Sequence, residues 1–81
     1  MNITVYSTTT CGICHALMQW LEKQKFEYTK VVVDTDPAGM AKLMEVSGGA
    51  IGVPFTTIEK DGVMDKIQGF DQNALKKSLD L

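Results

Sequence analysis

The sequence predicts an α/β fold: one mixed four-stranded sheet flanked by three helices, in the order βαβ, helix, β-hairpin, helix. Three observations carry that expectation. An alternating strand pattern, an amphipathic helix and a β-branched run follow one another from the N-terminus. A second helix is punctuated at both ends, by Asp36-Pro37 and by Gly48-Gly49. Two further strand-like runs are joined by Asp61-Gly62, a strong signal for a tight hairpin. A strand, crossover helix and parallel strand wind right-handed, and an antiparallel hairpin added to that unit gives a mixed sheet.

In the first strand Ile3, Val5 and Ser7 alternate with Asn2, Thr4 and Tyr6, which places one face of the strand on the core. From residue 12 to about 24, Cys14, Leu17, Met18 and Leu21 keep the i, i+3, i+4, i+7 spacing of a buried helical stripe, which Ile13, Ala16 and Trp20 broaden. The run "FEYTKVVVD", residues 26 to 34, suits a strand buried on both faces. In the second helix Asp36 reads as the N-cap, Pro37 as the first helical residue, and Met40, Leu43 and Met44 as the buried face. Asp71 then caps a short last helix that buries Ala74, Leu75 and Leu79.

Composition narrows the function. The chain has 81 residues, 44% hydrophobic and 22% charged, the profile of one ordinary globular domain. Its net charge is -2, and its eight basic residues are all lysines dispersed among acids, so nucleic acid is not expected as a partner. No apolar run is long enough for a membrane span, and "MNITVYS" lacks the basic and long apolar regions of a secretory signal. The expectation is a cytoplasmic protein with no membrane partner.

The chemistry lies in "TTTCGICH". Cys11 and Cys14 are separated by Gly12 and Ile13 and followed at once by His15. That pattern admits a redox pair, part of a metal site, or the C-x-x-C-H attachment point of a c-type haem. A thiolate, not a thiol, attacks disulfides, and the free amides and positive end of a helix favour one at Cys11. Cys14 falls on the apolar stripe, which suits a buried thiol that resolves a mixed disulfide. Zinc would need a fourth ligand beyond Cys11, Cys14 and His15, and the chain holds no other Cys or His. Haem is disfavoured by the strands and the hairpin, although five methionines could offer a second axial ligand.

Two inert cysteines, one buried and one at a helix mouth, are the bland alternative. A bridge between them closes too short a loop to staple a fold, so if they bond, the purpose is chemistry. Their place at the end of the first strand, where open α/β sheets set their ligand sites, favours function. His15 lies one turn after Cys11, near enough to modulate its sulfur, though a solvated histidine on a first turn is the plainer reading.

The stretches "VYSTTTCGICHALMQWL", "GVPF" and "GFD", in this order, resemble a glutaredoxin-like protein of the thioredoxin superfamily. The resemblance spans essentially the whole chain and implies a thioredoxin/glutaredoxin-like fold with residues 1–81 as a single domain. It implies a dithiol enzyme in which Cys11 attacks a disulfide, Cys14 resolves the mixed disulfide, and Pro54 is cis. By position, Val53 would offer its backbone to the bound thiol peptide. Gly69, Phe70 and Asp71 would border the same groove. Asp71 is equally well explained as an N-cap.

The same comparison exposes departures. Many glutathione-using members carry Lys or Arg three residues before the first cysteine, where this chain has Thr8. They often carry an anchor early in the second helix, here near Gly39-Met40, and Thr-Val-Pro where this chain has Gly52-Val53-Pro54. Lys42 is the nearest substitute anchor, but a solvated lysine is the plainer reading. The expectation is a monomeric thiol–disulfide oxidoreductase acting on protein or small-molecule disulfides, with no tightly bound cofactor or metal. Its electrons would come from glutathione as co-substrate or from thioredoxin reductase. The alternatives are a redoxin donating to ribonucleotide reductase and recharged by thioredoxin reductase, and an iron–sulfur or metal carrier bridging two chains.

Overall fold

A computed structural model describes residues 1–49 and 52–81. The elements are β1 (Asn2–Ser7), α1 (Gly12–Lys23), β2 (Thr29–Val32), α2 (Pro37–Ser47), β3 (Phe55–Lys60), β4 (Val63–Gln68) and α3 (Gln72–Ser78). They form one sheet in the order β2-β1-β3-β4. β1 and β2 are parallel, and the pairs β1/β3 and β3/β4 are antiparallel. This is the mixed four-stranded sheet with three helices that the sequence predicts. No helix among the described residues is long and apolar enough to cross a membrane.

Successive strand residues point to opposite faces, so the sheet divides the interior in two. On one face Val5 and Ile58 meet Leu17 and Leu21 of α1 and Leu75 of α3. On the other, Tyr6 and Phe55 meet Leu43 and Val46 of α2. Each fully buried leucine contributes roughly 1.5–3 kcal/mol of transfer free energy, so the α1/α3 face is the stronger half of the core.

The two-sided core corrects the one-sided reading of β1, because Tyr6 is buried as well as Ile3 and Val5. β1 lies inside the sheet and both of its faces are covered. β2 is corrected the other way. Only Thr29–Val32 pairs as a strand, Thr29 and Lys30 are exposed, and Val31 and Val32 are half-buried. It is an edge strand, with β1 on one side and solvent on the other. Phe26 and Tyr28 pack against the α1/α3 core from the connection before it.

The helices follow their stripes with local differences. In α1, Cys14, Leu17, Met18 and Leu21 are buried, while Ile13 and Ala16 face solvent and Trp20 is half-buried. The buried arc is thus the narrow one, and its flank turns outward. In α2, Met44 is 47% exposed, and Gly39 and Val46 take the buried positions beside Leu43. Asp36 caps α2 through its backbone alone, its carbonyl accepting from the Met40 N–H at 2.9 Å.

Gly39 is where α2 comes closest to the sheet. A Cβ there would stand 2.5 Å from Val31 Cγ1, too close for any side chain, so only glycine lets the helix settle. The hairpin has positive φ at both central residues, 52° at Asp61 and 77° at Gly62, the conformation that matches strand twist in a two-residue loop. Asp71 caps α3, its side chain accepting from the Ala74 N–H.

These directions fix where the site forms. β1, β2 and β4 all run toward the same end of the sheet, so the loops that leave them converge there with the segment that enters β3. Residues 8–11, 33–36, 52–54 and 69–71 make up that end, and they contain Asp34, Asp36 and Asp71 but no lysine.

Candidate functional site

Cys11 occupies the N-cap of α1 with extended backbone angles, φ -86° and ψ 100°. Its sulfur accepts from the Cys14 N–H at 3.1 Å, so an amide of the first turn points at the atom that would carry thiolate charge. The first helical turn brings the two Cα atoms to 5.2 Å, within the range for a disulfide, and the sulfurs are bonded. Cys11 is half-buried at the rim, whereas Cys14 is 0% exposed in the α1/α3 core. His15 follows on the first turn with its side chain exposed.

The loop before Cys11 is held by its neighbour after β2. Both the Thr9 N–H and the Thr9 hydroxyl donate to the Asp34 carboxylate, at 3.1 and 2.6 Å to Oδ2. The hydroxyl bond, followed by the backbone bond, holds the Asp34 carboxyl below its usual range. A depressed carboxyl contributes stability that is present in full above the unfolded value of about 3.9 and lost as pH falls through the lower folded value. Asp34→Asn should therefore melt below wild type near neutral pH, and the gap should close in melts taken at pH values below the folded pKa. A gap that stayed constant down to pH 2 would show that the charge plays no part in the clamp. In the sequence Asp34 reads only as the end of a strand; the pairing with Thr9 joins two loops 25 positions apart and leaves no local pattern.

The segment entering β3 forms the second wall. The Val53–Pro54 bond is cis, and Val53 is half-buried where both core clusters meet. Among the described residues neither the N–H nor the carbonyl of Val53 has a partner. The Pro54 carbonyl is occupied, accepting from the Gly69 N–H at 2.8 Å. Gly69 turns the chain with φ 78°, a conformation natural to glycine, and Phe70 follows it against the α1/α3 core. There Phe70 packs edge-on against Trp20, ring centroids 6.3 Å apart.

Cys11, Val53 and Phe70 all border the α1/α3 core cluster. Asp71 follows them, with Oδ1 engaged as the α3 cap at 3.1 Å. Lys42 sits on exposed α2 surface with Glu45 at 3.8 Å. The described residues contain no group of three or more His, Cys, Asp or Glu placed to hold a metal ion. A surface groove of about 390 Å³ lies between β4 and α3, lined by Lys66, Ile67 and Lys77 among others, and does not include the cysteines. The Cys11–Cys14 pair lies outside this groove, at the mouth of α1.

The family model for glutaredoxin matches residues 3–63. No curated protein matches the chain significantly. Among solved structures, a mutant of the thioredoxin-like protein BC3987 superposes with a TM-score of 0.83 at 24% identity, covering 96% of this chain and 99% of that one. The glutaredoxin-like protein NrdH-redoxin from Escherichia coli gives 0.74 at 26% identity, with 95% and 93% covered. A glutaredoxin from Archaeoglobus fulgidus gives 0.79 at 18%, with 96% and 85% covered.

Proposed function

The chain belongs to the glutaredoxin family, the thiol–disulfide oxidoreductases with a C-x-x-C motif, and from that premise we propose that it reduces protein or small-molecule disulfides through a Cys11–Cys14 dithiol cycle. The observation that carries the reading is the asymmetry of the pair, one sulfur at the rim facing a helix amide and the other sealed in the core. The Cys11 thiolate attacks one sulfur of the substrate disulfide, and the other substrate sulfur leaves as a thiolate that takes a proton. Cys14, having given up its proton, then attacks Cys11 Sγ, which expels the second substrate thiol and closes the internal disulfide. Two electrons pass from the dithiol to the substrate, and a reductant must return two.

Val53 packs on the same core cluster as Cys11, and among the described residues its backbone groups have no partner, so an extended substrate segment can pair with it while Pro54, Gly69 and Phe70 shape the wall. The domain acts alone as a monomer, in the cytoplasm, where glutathione and thioredoxin systems keep thiols reduced. His15, exposed one turn from Cys11, is at most a modulator.

A second reading is favoured by the charge of the site. Glutathione carries two carboxylates, and the loops around Cys11 supply three aspartates and no lysine. That argues for recharging by thioredoxin reductase and for a redoxin that passes electrons to ribonucleotide reductase. NrdH-redoxin, of similar fold, is described as glutaredoxin-like with a thioredoxin-like activity profile. The deciding experiment follows NADPH oxidation with a disulfide substrate and either glutathione plus its reductase or thioredoxin reductase. Turnover with neither would remove the oxidoreductase proposal, and the faster arm identifies the reductant.

A further inference from the structure

The segment 52–54 is gripped by a residue that the family reading does not use. Gln68, the last residue of β4, extends its side-chain Nε2 to the Gly52 carbonyl at 3.1 Å and to the Pro54 carbonyl at 3.4 Å. The two acceptors flank Val53, whose own N–H and carbonyl have no partner among the described residues. One amide thus binds on either side of the backbone unit left open toward the rim. A second observation ties the same residues together. A Cβ on Gly52 would stand 3.0 Å from Gln68 Nε2, tighter than such contacts ordinarily are, so a side chain at 52 would push the amide aside by a few tenths of an ångström.

We propose that Gln68 is a positioning residue for substrate binding: it holds the carbonyls of Gly52 and Pro54 so that the backbone of Val53 is presented, preorganised, to an extended disulfide-bearing peptide. The inference rests on the oxidoreductase reading above. Hydrogen bonds from a partly exposed side chain are individually modest, but ordering a binding segment in advance spares the complex that ordering. Gly52 belongs to the same device, since its missing side chain is what admits the amide. Gln68 touches no reacting atom, so its influence falls on binding of substrates that have a backbone to pair with.

The test compares a disulfide-bonded peptide with a small non-peptide aromatic disulfide, using wild type, Gln68→Ala, Gln68→Glu and Gly52→Ala, each with its melting temperature. In Gln68→Ala the ratio of peptide to small-disulfide kcat/KM should fall about fivefold to tenfold, through peptide KM rather than kcat. Gln68→Glu keeps the size but not the donor and should behave the same way. Gly52→Ala should reproduce part of the loss, and adding it to Gln68→Ala should cost nothing further, because both act on one contact. Equal losses on both substrates would mean a structural role only and overturn the proposal, as would a Gln68→Glu protein indistinguishable from wild type. A wild-type protein inert toward both disulfides would instead remove the redox reading, and this proposal with it.

Discussion

Cys11→Ser should abolish disulfide reduction, whereas Cys14→Ser should still attack and then accumulate a covalent adduct with its substrate. The difference follows from where the two sulfurs sit. Cys11 is at the rim, with the Cys14 N–H 3.1 Å from its sulfur and the positive end of α1 beneath it, so negative charge there is stabilised and reachable. Cys14 is 0% exposed among Leu17, Leu21 and Leu75, where a thiolate is costly and a bulky disulfide cannot arrive. It can reach only Cys11, which is the task of a resolving thiol. Losing a covalent nucleophile is felt on the order of a thousandfold or more, so Cys11→Ser should fall to background.

Cys14→Ser should instead give a band of added mass in non-reducing gels that disappears on reduction. A serine hydroxyl in that core costs about 1–3 kcal/mol if it finds no partner, so Cys14→Ala serves as the control for folding. In the reduced protein, iodoacetamide near neutral pH should modify Cys11 first. Faster labelling of Cys14, or adducts trapped by Cys11→Ser, would exchange the two roles.

Much of this arrangement is legible in the sequence, because its determinants are local. Asp61-Gly62 specifies a two-residue hairpin from its own dihedral needs, and the spacing of Cys14, Leu17, Met18 and Leu21 specifies the buried arc of α1. What is not legible depends on the neighbour an element acquires. "KVVVD" has the composition of an interior strand, but β2 becomes an edge because β1 pairs with β3 on its other side. Tyr6 reads as outward-facing until α2 covers that face. Met44 and Val46 differ by about half a turn of α2, and the choice between them is set by how deeply Gly39 lets the helix approach Val31.

The site divides in the same way. Its sulfurs stand in a contiguous motif that can be read directly. The contacts that hold its walls, Thr9 to Asp34 and Gln68 to Gly52 and Pro54, join segments 25, 16 and 14 positions apart through polar side chains that obey no periodicity. Nothing in the composition of either partner announces the pairing, and only the convergence of the strand ends creates it.

Thr8→Lys should raise glutathione-coupled turnover about tenfold, and at most a hundredfold, while altering thioredoxin-reductase-coupled turnover little. Thr8 is half-buried, and its carbonyl accepts from the Cys11 N–H at 3.4 Å, so this position belongs to the turn that leads into the attacking cysteine. Glutathione brings two carboxylates to that place, and the surrounding loops answer with Asp34, Asp36 and Asp71. Of these, Asp34 is engaged by Thr9 and Asp71 by the Ala74 amide, and residues 8–11, 33–36, 52–54 and 69–71 include no lysine to meet either carboxylate. A charge-assisted hydrogen bond contributes about 1.5–3 kcal/mol, and each 1.4 kcal/mol is tenfold in affinity. Solvent exposure of a lysine at the rim places the gain toward the lower end of that range. The increase should shrink as salt is added, since an exposed ion pair is screened over roughly 8 Å at physiological ionic strength. The measurement is the KM for glutathione in the NADPH-coupled assay at low and high salt. If wild type already matched the lysine variant at low salt, the missing cation would not limit glutathione binding, and an ordinary glutathione-dependent glutaredoxin would be the better description of this chain.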